Sequence, residues 1–245
     1  MLKKILIDTY NKEFYYYNAE NIKTSLRYTF KKIGKADFKV LDLGCGNGSL
    51  IEILSSFDQD FDVYGVEGDK ETAKEALRKG IKVKTANLEK PFPFDDETFD
   101  IIHGNQLFEH ILNKDRFLLN CGKKLKKNGY LIISTENLCS IANIIALLLG
   151  YEPFSQVLSM KYHLGNPLSP HYMKKHEEEK IELFGHKMIC SYLGLKELFK
   201  HNGFKIIKCL SAGFFPLPQF FARLDPRHAR FITILAQKDK DTFTD

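Results

Sequence analysis

The chain contains no tryptophan, and its five cysteines, Cys45, Cys121, Cys139, Cys190 and Cys209, are odd in number, widely spaced and free of any CxxC pair. This spacing excludes a disulfide framework and a structural zinc knuckle, and it fits a reducing compartment, the cytoplasm. Long hydrophobic runs are also missing. The most apolar stretch, Ile141 to Leu149, falls far short of the roughly 20 residues a membrane span requires. The opening MLKKILIDTYNKEFYYY has basic residues but neither an apolar block nor a small-residue cleavage site, so no signal peptide is expected there. Charge of one sign is not concentrated: 36 Lys and Arg stand against 31 Asp and Glu, and the lysines are scattered through expected helices. The basic stretch from His171 to His176 is followed directly by Glu177, Glu178 and Glu179, which reads as a solvated helix and not as a nucleic-acid patch. There is no internal repeat and no low-complexity tract.

What is present suits one domain with an insertion. Apolar residues make up 44% of the 245, and 20 Phe and 11 Tyr supply large packing units. Short apolar runs at Phe38–Leu43, Asp62–Glu67, Ile81–Ala86, Phe99–His103 and Tyr130–Thr135 read as strands. Helical spacing at Ser49–Phe57, Lys70–Lys79 and Lys114–Lys127 separates them, the last helix ending at Asn128-Gly129. Alternation of this kind implies parallel strands with right-handed crossovers, a doubly wound α/β sheet. After a helix at Leu193–His201, Phe204–Leu210 and Phe231–Gln237 predict a final antiparallel pair, for seven mostly parallel strands. The expected boundaries are an N-terminal helical segment over 1–37, an α/β core over 38–137, a helical insertion over 138–190 lying across the C-terminal edge of the sheet, and a return to the core over 191–245.

The most informative stretch is Val40-Leu41-Asp42-Leu43-Gly44-Cys45-Gly46-Asn47-Gly48. A buried strand enters a loop with glycine at alternate positions, and a helix follows. Glycine lets the backbone turn tightly and approach a ligand without a Cβ in the way. A dinucleotide fingerprint would place its third glycine at position 49, which is Ser49. This disfavours a nicotinamide oxidoreductase. At the end of the second strand, Glu67 can accept both hydroxyls of a ribose.

VLDLGCGNG and YGVEGD resemble the first two motifs of the class I S-adenosylmethionine-dependent methyltransferases, and the small-molecule, type 11-like group most closely. The segment Asn87-Leu88-Glu89-Lys90-Pro91-Phe92-Pro93-Phe94 resembles the adenine-side loop of that family, and Gly129 to Ser134 its fifth strand. The likeness covers roughly residues 38–137. It implies a Rossmann-like fold, S-adenosylmethionine as cofactor and S-adenosylhomocysteine as product. By that resemblance Gly44, Cys45, Gly46 and Gly48 line the methionine portion and Asp42 sits beside its ammonium. Glu67 and Gly68 hold the ribose, and Asn87 and Leu88 flank the adenine.

Methyl transfer needs an aligned acceptor and, for a hydroxyl or amine, a base. Such groups project at the end of the fourth strand, where His103-Gly104-Asn105-Gln106-Leu107-Phe108-Glu109-His110 offers His103, Glu109 and His110. In ubiquinone-pathway O-methyltransferases and small-RNA 2′-O-methyltransferases the pattern Glu-x-x-Glu-His binds a divalent metal. Here Gln106, a poorer ligand, takes the first place, and His163, His171 and His186 are all available as a later ligand, so no metal is assigned. The alternative for Glu109-His110 is a helix start bonded to the backbone. Tyr10 and Tyr15 to Tyr17 either close over the cofactor or form a packed face. Ile141–Leu149, with Phe214-Phe215-Pro216-Leu217-Pro218 and Phe220-Phe221, suggests an apolar small-molecule acceptor or contact with a membrane surface. An RNA methyltransferase is the rival enzyme, opposed by the absence of a basic domain and of an Asn/Asp-Pro-Pro-Tyr/Phe sequence after the fourth strand. A non-catalytic S-adenosylmethionine binder is the rival from another class.

Overall fold

The computed structural model describes residues 8–9, 11–156, 158–159, 164–169 and 185–239. A π-helical turn, Lys12–Tyr17, runs into helix α1, Asn18–Ile33, which Gly34 ends in the left-handed conformation with its N–H on the Phe30 carbonyl. Strands β1 (Asp37–Leu43), β2 (Asp60–Glu67), β3 (Lys82–Thr85), β4 (Phe99–Asn105) and β5 (Leu125–Glu136) follow. They are separated by α2 (Leu50–Leu54), α3 (Lys70–Arg78) and α4 (Lys114–Lys124). Helix α5 (Ile141–Leu148), α6 (Tyr192–His201), β6 (Phe204–Ala212), a short α7 (Phe220–Leu224) and β7 (Phe231–Lys238) complete the chain.

One seven-stranded sheet results, in the order β3-β2-β1-β4-β5-β7-β6. Every pairing from β3 to β5 is parallel, and β7 is antiparallel to both β5 and β6. The expected doubly wound, mostly parallel sheet and its closing antiparallel pair are therefore present. The sheet is apolar on both faces because helices cover both. On one face Leu41 and Leu43 pack with Phe117 and Leu118 of α4 and with Leu195 and Phe199 of α6. On the other, Val40, Ile101 and Ile132 pack with Ile22, Leu26 and Phe30 of α1 and with Leu50 and Leu54 of α2. Each such fully buried side chain contributes about 1.5–3 kcal/mol.

Several element ends shift by one to three residues from the expectation, and the largest shift is at the start of β5. Helix α4 stops at Lys124, and Leu125 to Gly129 belong to β5. Leu125 is fully buried opposite Phe99, so its burial overrides the helix propensity of its lysine neighbours. Asn128 then takes φ +59° within the strand. Over 138–190 the described residues include a single helix, α5. Its N-terminal part buries Ala142 and Asn143, whereas Leu148 at its end is 82% exposed. The Leu138 N–H donates to the Cys190 carbonyl, so the chain leaves and re-enters the core at one point. The charged run Lys174–Lys180, Tyr10, His163 and His171 lie outside the described residues. Among the described residues, no helix is long and apolar enough to cross a membrane.

Candidate functional site

Strand order reverses between β1 and β4: the chain runs outward from β1 through β2 to β3, then returns to lay β4 on the other side of β1. Loops leaving such a switch point diverge and open a crevice at the carboxyl ends of the strands. A cavity of about 470 Å³ lies there. Its walls come from Gly44 and Gly46 after β1, Glu67, Gly68 and Asp69 after β2, and Thr85 to Glu89 after β3. Asn105, Gln106, Leu107, His110 and Ile111 after β4 close it, with Lys187 from the far side of the insertion.

The glycine loop is shaped by two different needs. Gly48 has φ +81°, and a Cβ there would stand 2.8 Å from Ile81 Cδ1 and 3.2 Å from Ala76 Cα. This third glycine thus admits α3 and Ile81, just before β3, to close packing and does not line the cavity. Gly46, at φ +52°, has open space where its Cβ would be. Its N–H donates to Glu67 Oε2 at 2.9 Å, while Glu67 Oε1 accepts from the Asp69 N–H at 2.9 Å. One carboxylate therefore ties the β1 loop to the β2 loop at the cavity wall and keeps lone pairs for a ligand. Asp69 caps α3, accepting from the Thr72 N–H at 2.8 Å.

Of the residues singled out in the sequence, Gly44, Gly46, Glu67, Gly68, Asn87, Leu88 and His110 line this cavity. Asp42, Cys45, Gly48, His103 and Glu109 do not. Asp42 and His103 sit opposite each other on β1 and β4. They bond to each other, with Asp42 Oδ1 2.7 Å from His103 Nδ1 and both side chains buried. Cys45 Sγ lies against the Cα of Gly65, and burial, with the carboxylates of Asp42 and Glu67, pushes its thiol up to about 12, so it packs without reacting. Tyr15 and Tyr16 are exposed and do not line the cavity.

Glu109 and His110 stand on a short 3-10 turn, Phe108–His110. Lys114, itself buried, pins this turn by donating to the Phe108 and Ile111 carbonyls at 2.6 and 2.7 Å. Glu109 is buried and accepts the Thr135 hydroxyl at 2.8 Å. Its carbonyl receives the Lys187 N–H at 2.8 Å, which docks the end of the insertion. His110 Nδ1 meets the Gly185 carbonyl at 3.1 Å, and His186 Nδ1 meets the Ser155 carbonyl at 2.6 Å. Carbonyl partners make each Nδ1 the donor, so Nε2 carries the lone pair in the neutral ring. Burial holds the His110 pKa below 6.5, with nearby His186 and Lys187 adding to the effect. Ligand atoms of Glu109, His110 and His186 all lie within 4.8 Å of one another. A carboxylate with two imidazoles backed by carbonyls is a donor set a divalent cation accepts.

Asn105, Asp69 and Lys187 were not singled out from the sequence as site residues. Asp69 lies inside the YGVEGD motif and follows from the motif's geometry. Lys187 carries no local signal, because its place depends on where the insertion returns.

A family model described as methyltransferase domain matches residues 10–208. The mitochondrial ubiquinone biosynthesis O-methyltransferase of Bos taurus is 30% identical over 123 residues, 46% of this chain and 33% of that protein. The ubiquinone biosynthesis O-methyltransferase of Rickettsia conorii is 30% identical over 142 residues, 54% of this chain and 48% of that protein. The chain thus spans about a third to a half of the length of these curated relatives. Among solved structures, an S-adenosylmethionine-dependent methyltransferase from Mesorhizobium loti superposes with TM-score 0.56 at 15% identity, covering 87% of this chain and 96% of that one. One from Archaeoglobus fulgidus gives 0.55 at 18%, covering 94% and 98%. Both share the fold.

Proposed function

The chain belongs to the methyltransferase-domain family of S-adenosylmethionine-dependent proteins, and from that premise we propose that it transfers the methyl group of S-adenosylmethionine to a hydroxyl of a small molecule with an apolar body. The observation that carries this reading is the single cavity wall that runs from Glu67 to His110. At one end Glu67, Gly68, Asn87 and Leu88 suit a nucleoside; at the other His110 offers a neutral imidazole. Relatives named as O-methyltransferases favour oxygen over nitrogen or carbon. Leu107 and Ile111 in the wall favour an acceptor with apolar surface. Free cysteines fit action in the cytoplasm.

In the proposed reaction the acceptor oxygen attacks the sulfonium methyl in line. The new C–O bond forms as the C–S bond breaks, and the bonding pair stays on sulfur as S-adenosylhomocysteine. His110 takes the hydroxyl proton. The protein contributes alignment at about 3 Å and exclusion of water. Incubation with methyl-labelled S-adenosylmethionine and a panel of catechols and phenols tests this. Label in an acceptor, lost in His110→Ala, supports it. Binding of the cofactor with no label in any acceptor would favour the non-catalytic alternative.

The Glu109, His110 and His186 cluster favours one second reading, in which these three hold a divalent cation that lowers the pKa of an acceptor hydroxyl. Transfer that disappears on dialysis against a chelator and returns with magnesium or zinc would select it; transfer that survives the chelator selects His110 as the base.

A further inference from the structure

The charged groups in the cavity wall are of two kinds. Glu67, Asp69 and Glu89 are carboxylates, and each is held by backbone N–H groups. Glu67 accepts from Gly46 and Asp69, and Asp69 accepts from Thr72. Glu89 accepts from Leu112 at 2.5 Å and from Asn113 at 3.2 Å, just ahead of α4. Such bonds disperse a carboxylate's charge and fix its direction. Lys187 is the one lysine or arginine among the described residues that line the cavity. Among the described residues its ammonium has no ion-pair or hydrogen-bond partner.

The backbone of Lys187, by contrast, is fixed. The N–H groups of Lys187 and Met188 both donate to the Glu109 carbonyl, at 2.8 and 3.1 Å, and the Gly185 carbonyl meets His110 Nδ1 at 3.1 Å. Residues 185–188 are therefore clamped along the turn that carries His110. The ammonium swings on a flexible stem from a fixed root, near enough to the imidazole for its charge to help lower the His110 pKa. The three carboxylates follow β2 and β3, on the side that suits a nucleoside, whereas Lys187 and His110 stand together at the other end. The cavity is thus polarised, with its carboxylates already engaged and its ammonium unpaired. The ligand group that completes such a wall is an anion. A single ammonium, with no second cation beside it, matches a monoanion; a phosphate dianion would stay half compensated. Leu107 and Ile111 in the same wall take the apolar body of the molecule.

We propose that Lys187 selects the methyl acceptor: the accepting molecule carries a carboxylate, which the Lys187 ammonium holds while the hydroxyl faces His110. This rests on the methyl-transfer reading above. Lys187 determines specificity and takes no part in the proton transfer.

The test is calorimetric titration of the full chain, dialysed against a chelator and saturated with S-adenosylhomocysteine. The probes are 3- and 4-hydroxybenzoate and the corresponding 3- and 4-hydroxybenzamide, which share ring, hydroxyl and shape and differ in charge. At least one hydroxybenzoate is expected to bind about tenfold or more tightly than its amide, the worth of one hydrogen bond between charged groups, and raising the salt concentration is expected to shrink that preference. Lys187→Met keeps the stem and the backbone bonds and removes the charge. It is expected to erase the preference and to leave affinity for the amide unchanged within about twofold, while Lys187→Arg keeps most of the preference. Affinity for S-adenosylhomocysteine is expected to stay within about twofold in both variants, which separates the acceptor's carboxylate from the methyl donor's own. A preference that survives Lys187→Met, no preference in the wild type, no binding of any probe to the loaded chain, or a loss of S-adenosylhomocysteine affinity in Lys187→Met would each overturn the assignment. A wild-type chain that does not bind S-adenosylhomocysteine would instead overturn the methyl-donor reading itself.

Discussion

Gly48 shows how one residue type serves packing and leaves the ligand to its neighbours. Replacing it with Ala demands a left-handed backbone and drives a methyl into Ile81 and Ala76. The expected cost is about 1–3 kcal/mol, read as a midpoint lowered by about 2–4 °C per kcal/mol. Glu67 is the converse case, a side chain whose two oxygens tie the loops after β1 and β2 together at the cavity wall. Glu67→Gln aims an NH2 at one of two backbone donors, and the variant is expected to lose the stabilisation that S-adenosylhomocysteine confers on the wild type. Full retention of that stabilisation would count against a ribose role. His110 sits in surroundings that keep it neutral below its ordinary 6.5. Transfer is therefore expected to hold level as pH falls from 8 to 6.5 and to drop only on further acidification. His110→Ala is expected to lower it by about 10²–10⁴-fold.

Among the elements, the central parallel strands β1, β4 and β5 are legible because each carries a short apolar run, and burial on both faces gives such runs their character, whereas the edge strand β3 is largely exposed. The boundary at Lys124 is not legible, since the fate of Leu125 depends on Phe99, a partner remote in sequence. The site divides in the same way. Gly44, Gly46 and Glu67 belong to contiguous motifs and are placed by local geometry. The hydrogen bonds of buried Asn18 to Ser134 and Asn105 and the return of Lys187 to the Glu109 carbonyl depend on tertiary contacts between distant segments, and no spacing rule predicts them. The π-helical turn before α1 has an anchor of the second kind. Glu13 meets Arg230 at 3.0 Å, both buried, and Glu13 Oε1 accepts the N–H groups of Phe214 and Phe215. Burial raises the Glu13 pKa above 4.5 despite the guanidinium. Glu13→Ala leaves Arg230 buried without that partner, and the expected loss is about 3–5 kcal/mol, measured by chemical denaturation; a change under about 1 kcal/mol would show that the segment is not anchored there.

At the scale of the whole molecule, the amino-terminal end of the sheet, away from the cavity, has its own electrostatic clasp. Burial alone would raise Asp100, but hydrogen bonds from Lys35, the Lys39 N–H and Lys126 outweigh it and hold the carboxyl below its ordinary 3.8. A depressed folded pKa contributes stability above pH 3.8 that is lost as pH falls through the folded value. Asp100→Asn is therefore expected to cost about 1–3 kcal/mol at pH 7 and progressively less below pH 3.8; an equal cost at pH 7 and pH 2 would contradict the clasp. Folding thus holds the sheet from below while its upper edge stays open for a ligand. The central claim is that this edge is built for S-adenosylmethionine, and thermal unfolding with and without S-adenosylhomocysteine tests it most directly, with NAD as the control. Ligand at about 100 times its dissociation constant adds about 2.7 kcal/mol, which for a chain of this size raises the midpoint by about 5–10 °C. A rise with S-adenosylhomocysteine and none with NAD is the predicted result; no rise with S-adenosylhomocysteine, or an equal rise with NAD, would contradict it.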